Sequence, residues 1–128
     1  MKFLLDTHVL LWAAGMPEKL SSSTAKLLGS PENELFFSVV SLLEVIIKRG
    51  LGRDDFQVDA RLLRRGLLDN GYSELPIASE HVVSVESQPA VHKDPFDRLL
   101  VAQATVEGIT LLTADARVAQ YPGPIQRI

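Results

Sequence analysis

The stretch His92–Asp115, HKDPFDRLLVAQATVEGITLLTAD, decides how the rest of the chain is read. Asp94 stands where a helix N-cap belongs, Pro95 suits a first helical position because its missing N–H is not needed there, and Asp97 falls in the first turn. The predicted helix runs on through RLLVAQATVE and stops at Gly108, a residue that readily takes a C-terminal cap. Ile109–Leu112 (ITLL) then reads as a buried strand, and polar residues return at Thr113 and Asp115. A helix feeding a short apolar strand is the repeating pattern of a parallel sheet.

The same alternation extends outward. Lys2–Leu5 (KFLL) is a short strand followed by helical HVLLWAA, and Leu35–Phe37 (LFF) leads through Ser38 into the apolar helix VVSLLEVIIK. From Val58 to Asn70, Leu62, Leu63, Leu67 and Leu68 recur at helical spacing, with Gly71 as the stop. Ser73–Ile77 is a weaker strand, kept from the sheet centre by Pro76, with a helix expected near Ser79–Ser87 and a last strand at Pro124–Ile128. The expected architecture is one domain over residues 1–128: three α/β/α layers, with helices on both faces of a central parallel sheet of four to five strands.

Composition agrees with this. Of 128 residues, 46% are hydrophobic and 23% charged, enough apolar surface for a core without staples. The chain has no cysteine, which removes disulfides and thiolate metal sites and fits a reducing cytoplasm. Lys2 and the apolar run after it imitate an export signal, but Asp6 and His8 interrupt its centre. No uncharged apolar stretch approaches the roughly 20 residues that span a bilayer. Net charge is −3, unlike a simple basic nucleic-acid module. With four acids assigned to a metal site, 13 Lys+Arg would face 12 Asp+Glu, a balance of +1.

Ligands of open parallel sheets gather beyond the carboxyl ends of the strands. Asp6 follows KFLL, Asp115 follows ITLL, Glu44 lies inside the apolar helix after Ser38, and Asp97 opens the DPFD helix. Right-handed crossovers can bring all four to one edge. Two carboxylates about 5 Å apart repel by roughly 3 kcal/mol at an effective dielectric near 20, so such a cluster needs cations. All-oxygen ligation favours Mg²⁺ or Mn²⁺, which can activate water against a phosphodiester.

Each acid also has a local explanation. Asp97 can complete a capping box with Asp94, Asp115 can cap the segment DARVAQ, and Asp6 can cap HVLLWAA. Glu44 is the hardest to explain locally, because its helix is otherwise mostly Val, Leu and Ile; a salt bridge to a lysine or arginine would account for it.

LLDTHVLLWA, FFSVVSLLEVIIK, HKDPFDRLLVAQA and LLTAD together resemble the PIN-domain family, in particular the VapC-type toxins of bacterial toxin–antitoxin pairs. The resemblance spans nearly the whole chain in order, and DTH and DPFDR are its most specific strings. It implies a Mg²⁺- or Mn²⁺-dependent endoribonuclease with metal-site roles for Asp6, Glu44, Asp97 and Asp115. It also implies supporting places for Thr7, Ser38 and Thr113, whose hydroxyls could equally be caps. An RNA substrate, a cognate antitoxin and a homodimer follow from the resemblance alone.

Lys48, Arg49, Arg53, Arg64, Arg65, Lys93 and Arg98 are the cations available to hold phosphates. His8 stands at a helix start two residues beyond Asp6, His81 reads as a surface or partly packed helix residue, and His92 as a loop residue near the site. Trp12, Leu10 and Leu11 fit a core or a dimer surface better than a base-stacking platform. No phosphate-binding glycine motif occurs. Two rivals remain: another Mg²⁺-dependent phosphoryl hydrolase, for which Asp6 lacks an adjacent partner acid, and a noncatalytic interaction module whose acids only cap helices.

Overall fold

The computed structural model describes residues 1–52 and 57–128. Five strands form one sheet: β1 (Lys2–Leu5), β2 (Glu34–Ser38), β3 (Ser73–Leu75), β4 (Thr110–Thr113) and β5 (Ile125–Arg127). Their order is β3-β2-β1-β4-β5, and every neighbouring pair is parallel. β1 is central, with Leu4 registered against Phe36 on one side and Leu111 on the other. β3 lies at an edge, and it stops at Leu75, short of the expected Ile77, because Pro76 cannot donate to a ladder.

Alternation along the strands divides the core into two layers. Phe3 and Leu5 of β1, Leu35 and Phe37 of β2 and Leu112 of β4 point to one face. Helices α1 (Thr7–Gly15) and α4 (Ala60–Asp69) cover that face with Val9, Leu10, Leu63 and Leu67. Leu4 and Leu111 point to the other face, where α6 (Pro95–Glu107) packs Leu100, Val101 and Ala104. Helix α3 (Val39–Gly50) gives Val45 to the first layer and Val40 to the second. This is the expected three-layer arrangement.

The helix signals act as the sequence predicts. Asp94 Oδ1 accepts from the backbone N–H groups of Phe96 and Asp97, with Pro95 at the first position of α6. Gly108 ends α6 with φ of 68°, a left-handed conformation that other residues adopt only with strain. One element goes beyond the sequence reading: α2 (Ser22–Gly29), whose cap Ser21 accepts from Thr24 N–H. Its eight residues give little periodicity to read. The helix expected near Ser79–Ser87 is α5 (Ser79–Ser84) followed by a 3₁₀ turn over Val85–Ser87.

His81 corrects an expectation. It is buried at 3% exposure rather than lying on a helix surface, because its Nδ1 accepts from Ala78 N–H and its Nε2 lies 3.1 Å from Glu107. The ring thereby caps α5 and ties it to α6.

Candidate functional site

The order in which strands are added switches sides at β1. Connections from β1 through β2 to β3 build outward on one side, and the next crossover jumps to β4 on the other. Ligands of open parallel sheets gather beyond the carboxyl ends of the strands at such a switch in order, here β1 and β4. Asp6 directly follows β1, its N–H donating to Leu112 O at 3.0 Å. The carboxylate is buried and held at both oxygens: Oδ1 accepts from Val9 N–H at 3.0 Å, capping α1, while Oδ2 accepts from the Thr113 hydroxyl. The same hydroxyl oxygen accepts from Asp115 N–H at 3.0 Å, so Thr113 joins two of the four acids. Asp115 Oδ1 accepts from Arg117 N–H, a local turn contact; the 3₁₀ turn that follows over Val118–Gln120 has Arg117 at its N-cap position, without a side-chain cap.

Glu44 is 2% exposed. Thr7 donates its hydroxyl proton to Glu44 Oε1 at 2.7 Å, so the 2.9 Å contact between Thr7 and Ser41 must have Ser41 as donor. One turn along α3, Lys48 Nζ lies 2.7 Å from Glu44 Oε2. The salt bridge offered as a local explanation is therefore real, and it sits among the other acids rather than in place of them. Thr7 serves Glu44, whereas Ser38 caps α3 through Val40 N–H and gives its hydroxyl proton to Gln103.

Asp97 turns from its helix toward His92, with Oδ2 2.9 Å from His92 Nε2. Its carboxyl is pushed up to about 6 by burial first, then by the charges of Asp94, Glu44 and Asp6. Burial likewise raises Asp6, against the Thr113 and Val9 hydrogen bonds and with Glu44 adding to the rise. Asp6, Glu44 and Asp97 thus feel one another's charge. Asp115 stands apart electrically: burial acts to raise it, but the backbone N–H and guanidinium of Arg117, with His92, hold it low.

Three acids share one field, and the fourth is tied in through Thr113. They do not form a closed ligand shell. Among the described residues, only His92, Asp94 and Asp97 bring ligand atoms within 4.8 Å of one another. The donor chemistry nevertheless fits a hard divalent cation: the donors are oxygens, and two of the carboxyls are displaced upward by burial first and by neighbouring carboxylates second.

The remaining candidates are dispersed. Arg49 pairs with Asp59, Arg64 with Glu74, and Arg98 donates to Val85 O, while Lys93 and Arg65 are exposed. Arg53 lies outside the described residues. His8 is exposed and tilts against Trp12, ring centres 6.5 Å apart. Grooves of about 820 and 940 Å³ flank α4, but neither is lined by any of the four acids. The four acids lie instead around the carboxyl ends of β1 and β4, on α3 and at the start of α6. Ser41, Gln103 and Tyr121 are supporting residues that the sequence reading missed. Of these, Ser41 had a legible signal, one turn before Glu44 on α3.

The PIN domain family model matches residues 3–124. No curated protein matches the chain significantly by sequence. Among solved structures, a chain of VapBC2 from Rickettsia felis, crystallised with a DNA fragment from their promoter, is similar at TM-score 0.71 and 15% identity. The match covers 99% of this chain and 98% of that one. DNA-bound VapBC from Salmonella typhimurium gives TM-score 0.68 at 14% identity, with the same coverages. VapBC-1 from nontypeable Haemophilus influenzae gives 0.61 at 17%, again covering 99% and 98%. At these identities the likeness is one of fold.

Proposed function

Because the chain belongs to the PIN domain family, we propose that it is a metal-dependent endoribonuclease, the toxin of a toxin–antitoxin pair. The observation that carries this reading is that the Thr113 hydroxyl joins Asp6 to Asp115 at the carboxyl ends of β1 and β4, where the strand order switches, with Asp6, Glu44 and Asp97 close enough to act on one another's charge. In this reading Asp6, Glu44, Asp97 and Asp115 hold Mg²⁺ or Mn²⁺. A divalent ion held there would supply activation of water and compensation of the charge that builds on a phosphodiester.

The chain's own residues do the positioning. Thr113 and the N-terminus of α1 fix both oxygens of Asp6, so that carboxylate meets its ligand already oriented. Thr7 and Lys48 hold the two oxygens of Glu44 in the same way. No side-chain nucleophile is needed. The VapBC structures of similar fold support an antitoxin as partner, and the family resemblance supports a homodimer acting in the cytoplasm. Exposed Leu43, Ile46 and Ile47 on α3 and Val82 and Val83 on α5 are apolar surface for such partners to cover.

The test is cleavage of a panel of single-stranded RNAs with Mg²⁺ or Mn²⁺, repeated with EDTA and with Asp6→Asn and Asp97→Asn. Cleavage that needs the divalent ion and is lost in both variants is expected. Cleavage indifferent to EDTA, or undiminished in both variants, rejects the mechanism. A noncatalytic interaction module would cleave no RNA in the panel.

A further inference from the structure

His92 is not among the four acids, yet it makes the shortest side-chain contact to Asp97 that the structure records, Nε2 to Oδ2 at 2.9 Å. An ionised carboxylate can only accept, so Nε2 carries the proton. A ring nitrogen that carries a proton is not free to bind a cation. Asp94, the third member of the close triplet, has Oδ1 committed to two N–H groups at the start of α6. Capping and hydrogen bonding therefore explain that triplet without making it a metal site of its own.

The loop bearing His92 is pinned from elsewhere in the fold. Tyr121, 3% exposed and following the 3₁₀ turn Val118–Gln120, packs in the core layer under α6. Its phenol accepts from His92 N–H and donates to His92 O, both at 3.0 Å. Two hydrogen bonds to one residue's backbone leave the imidazole little freedom beyond its own side-chain torsions.

We propose that His92 is a positioning residue, anchored by Tyr121, whose Nε2 proton fixes the orientation of the Asp97 carboxylate beside Asp6 and Glu44. The inference rests on the metal-nuclease reading and adds to it a support for the one acid whose carboxylate is not held by a backbone N–H or a hydroxyl group. Partners behind a metal ligand typically change metal affinity or activity by about 10–100-fold.

The test measures the Mn²⁺ dissociation constant of the full chain by titration calorimetry and, separately, the Mn²⁺ concentration giving half-maximal RNA cleavage. In His92→Ala both should rise about tenfold or more, while His92→Gln, which keeps an N–H donor at similar reach, should recover most of the loss. Tyr121→Phe keeps the ring in the core and removes both backbone hydrogen bonds; it should shift both readouts in the same direction, by less. Unchanged Mn²⁺ binding in His92→Ala and Tyr121→Phe overturns the inference and leaves the nuclease reading standing. Loss of Mn²⁺ binding in His92→Ala with no recovery in His92→Gln also overturns it, by making His92 a ligand. A wild-type chain that neither binds Mn²⁺ nor cleaves RNA removes the parent reading and this one together. If His92→Ala does not fold, Tyr121→Phe and His92→Gln carry the comparison.

Discussion

Thr113, the last residue of β4, donates its hydroxyl proton to Asp6 at the end of β1, a contact spanning 107 residues of sequence. Both residues are buried, and the hydroxyl oxygen also receives Asp115 N–H. One small side chain therefore links the carboxyl ends of β1 and β4.

Replacing it isosterically exposes the value of that link. Thr113→Val keeps the shape but leaves a buried carboxylate oxygen and the Asp115 N–H without their partner, a loss of about 1–3 kcal/mol by the usual cost of unsatisfied buried groups. Urea denaturation should register that loss, together with reduced RNA cleavage. Equal stability in the variant would show that the hydroxyl is not holding Asp6.

Lys48→Met removes the cation beside Glu44. Lys48 is one-third exposed while Glu44 is not, so the loss should be smaller than for a fully buried pair, about 1–2 kcal/mol in EDTA. Mn²⁺ should then stabilise the variant more than it stabilises the wild type, because ion and ammonium compete for one carboxylate. Thermal melts with and without Mn²⁺ compare the two, and an equal increment in both proteins would dismiss the competition.

Stability should depend on pH in a direction opposite to that of ordinary paired acids. Folded Asp97 keeps its proton up to about pH 6, whereas its ordinary value is 3.8, and Asp6 is shifted the same way by burial. The folded state then binds more protons than the unfolded state between those values, so this contribution falls as pH rises from about 4 to 6. Asp115 and Asp59 are shifted downward, and their contribution is lost only on acidification below the ordinary range. In EDTA the wild type should therefore lose stability across pH 4 to 6, and Asp97→Asn should lose less. Mn²⁺, which binds the ionised forms, should abolish the slope.

Asp94→Asn keeps an N-cap but removes a negative charge that raises Asp97. Carboxyl carbon NMR should show Asp97 titrating lower than in the wild type, with α6 intact. An unmoved Asp97 would show that Asp94 does not contribute to its shift, leaving burial, Glu44 and Asp6 as its sources.

How far the site could be read in advance depends on whether each signal is local. Asp94-Pro95 and Gly108 bound α6 by backbone rules acting within a few residues, and Asp6 and Thr113 are strand-end polar residues in a recognisable parallel-sheet pattern. Lys48 was visible as a basic helix end, yet its pairing with Glu44 follows from spacing of one turn. Tyr121, Gln103 and the buried state of His81 were not legible, because their partners His92, Ser38 and Glu107 lie 29, 65 and 26 residues away. Such pairings are settled by tertiary packing. The strand boundaries shifted by a residue or so, as hydrogen bonding rather than hydropathy sets them.

The central claim is that these acids bind one cation together, and crystals of the full chain grown with Mn²⁺ and measured at the manganese absorption edge test it most directly. The account predicts an anomalous peak touching carboxylate oxygens of Asp6, Glu44 and Asp97, with Lys48 displaced from Glu44. A peak confined to His92 and Asp94, or manganese bound only away from the β1 and β4 ends, would contradict it.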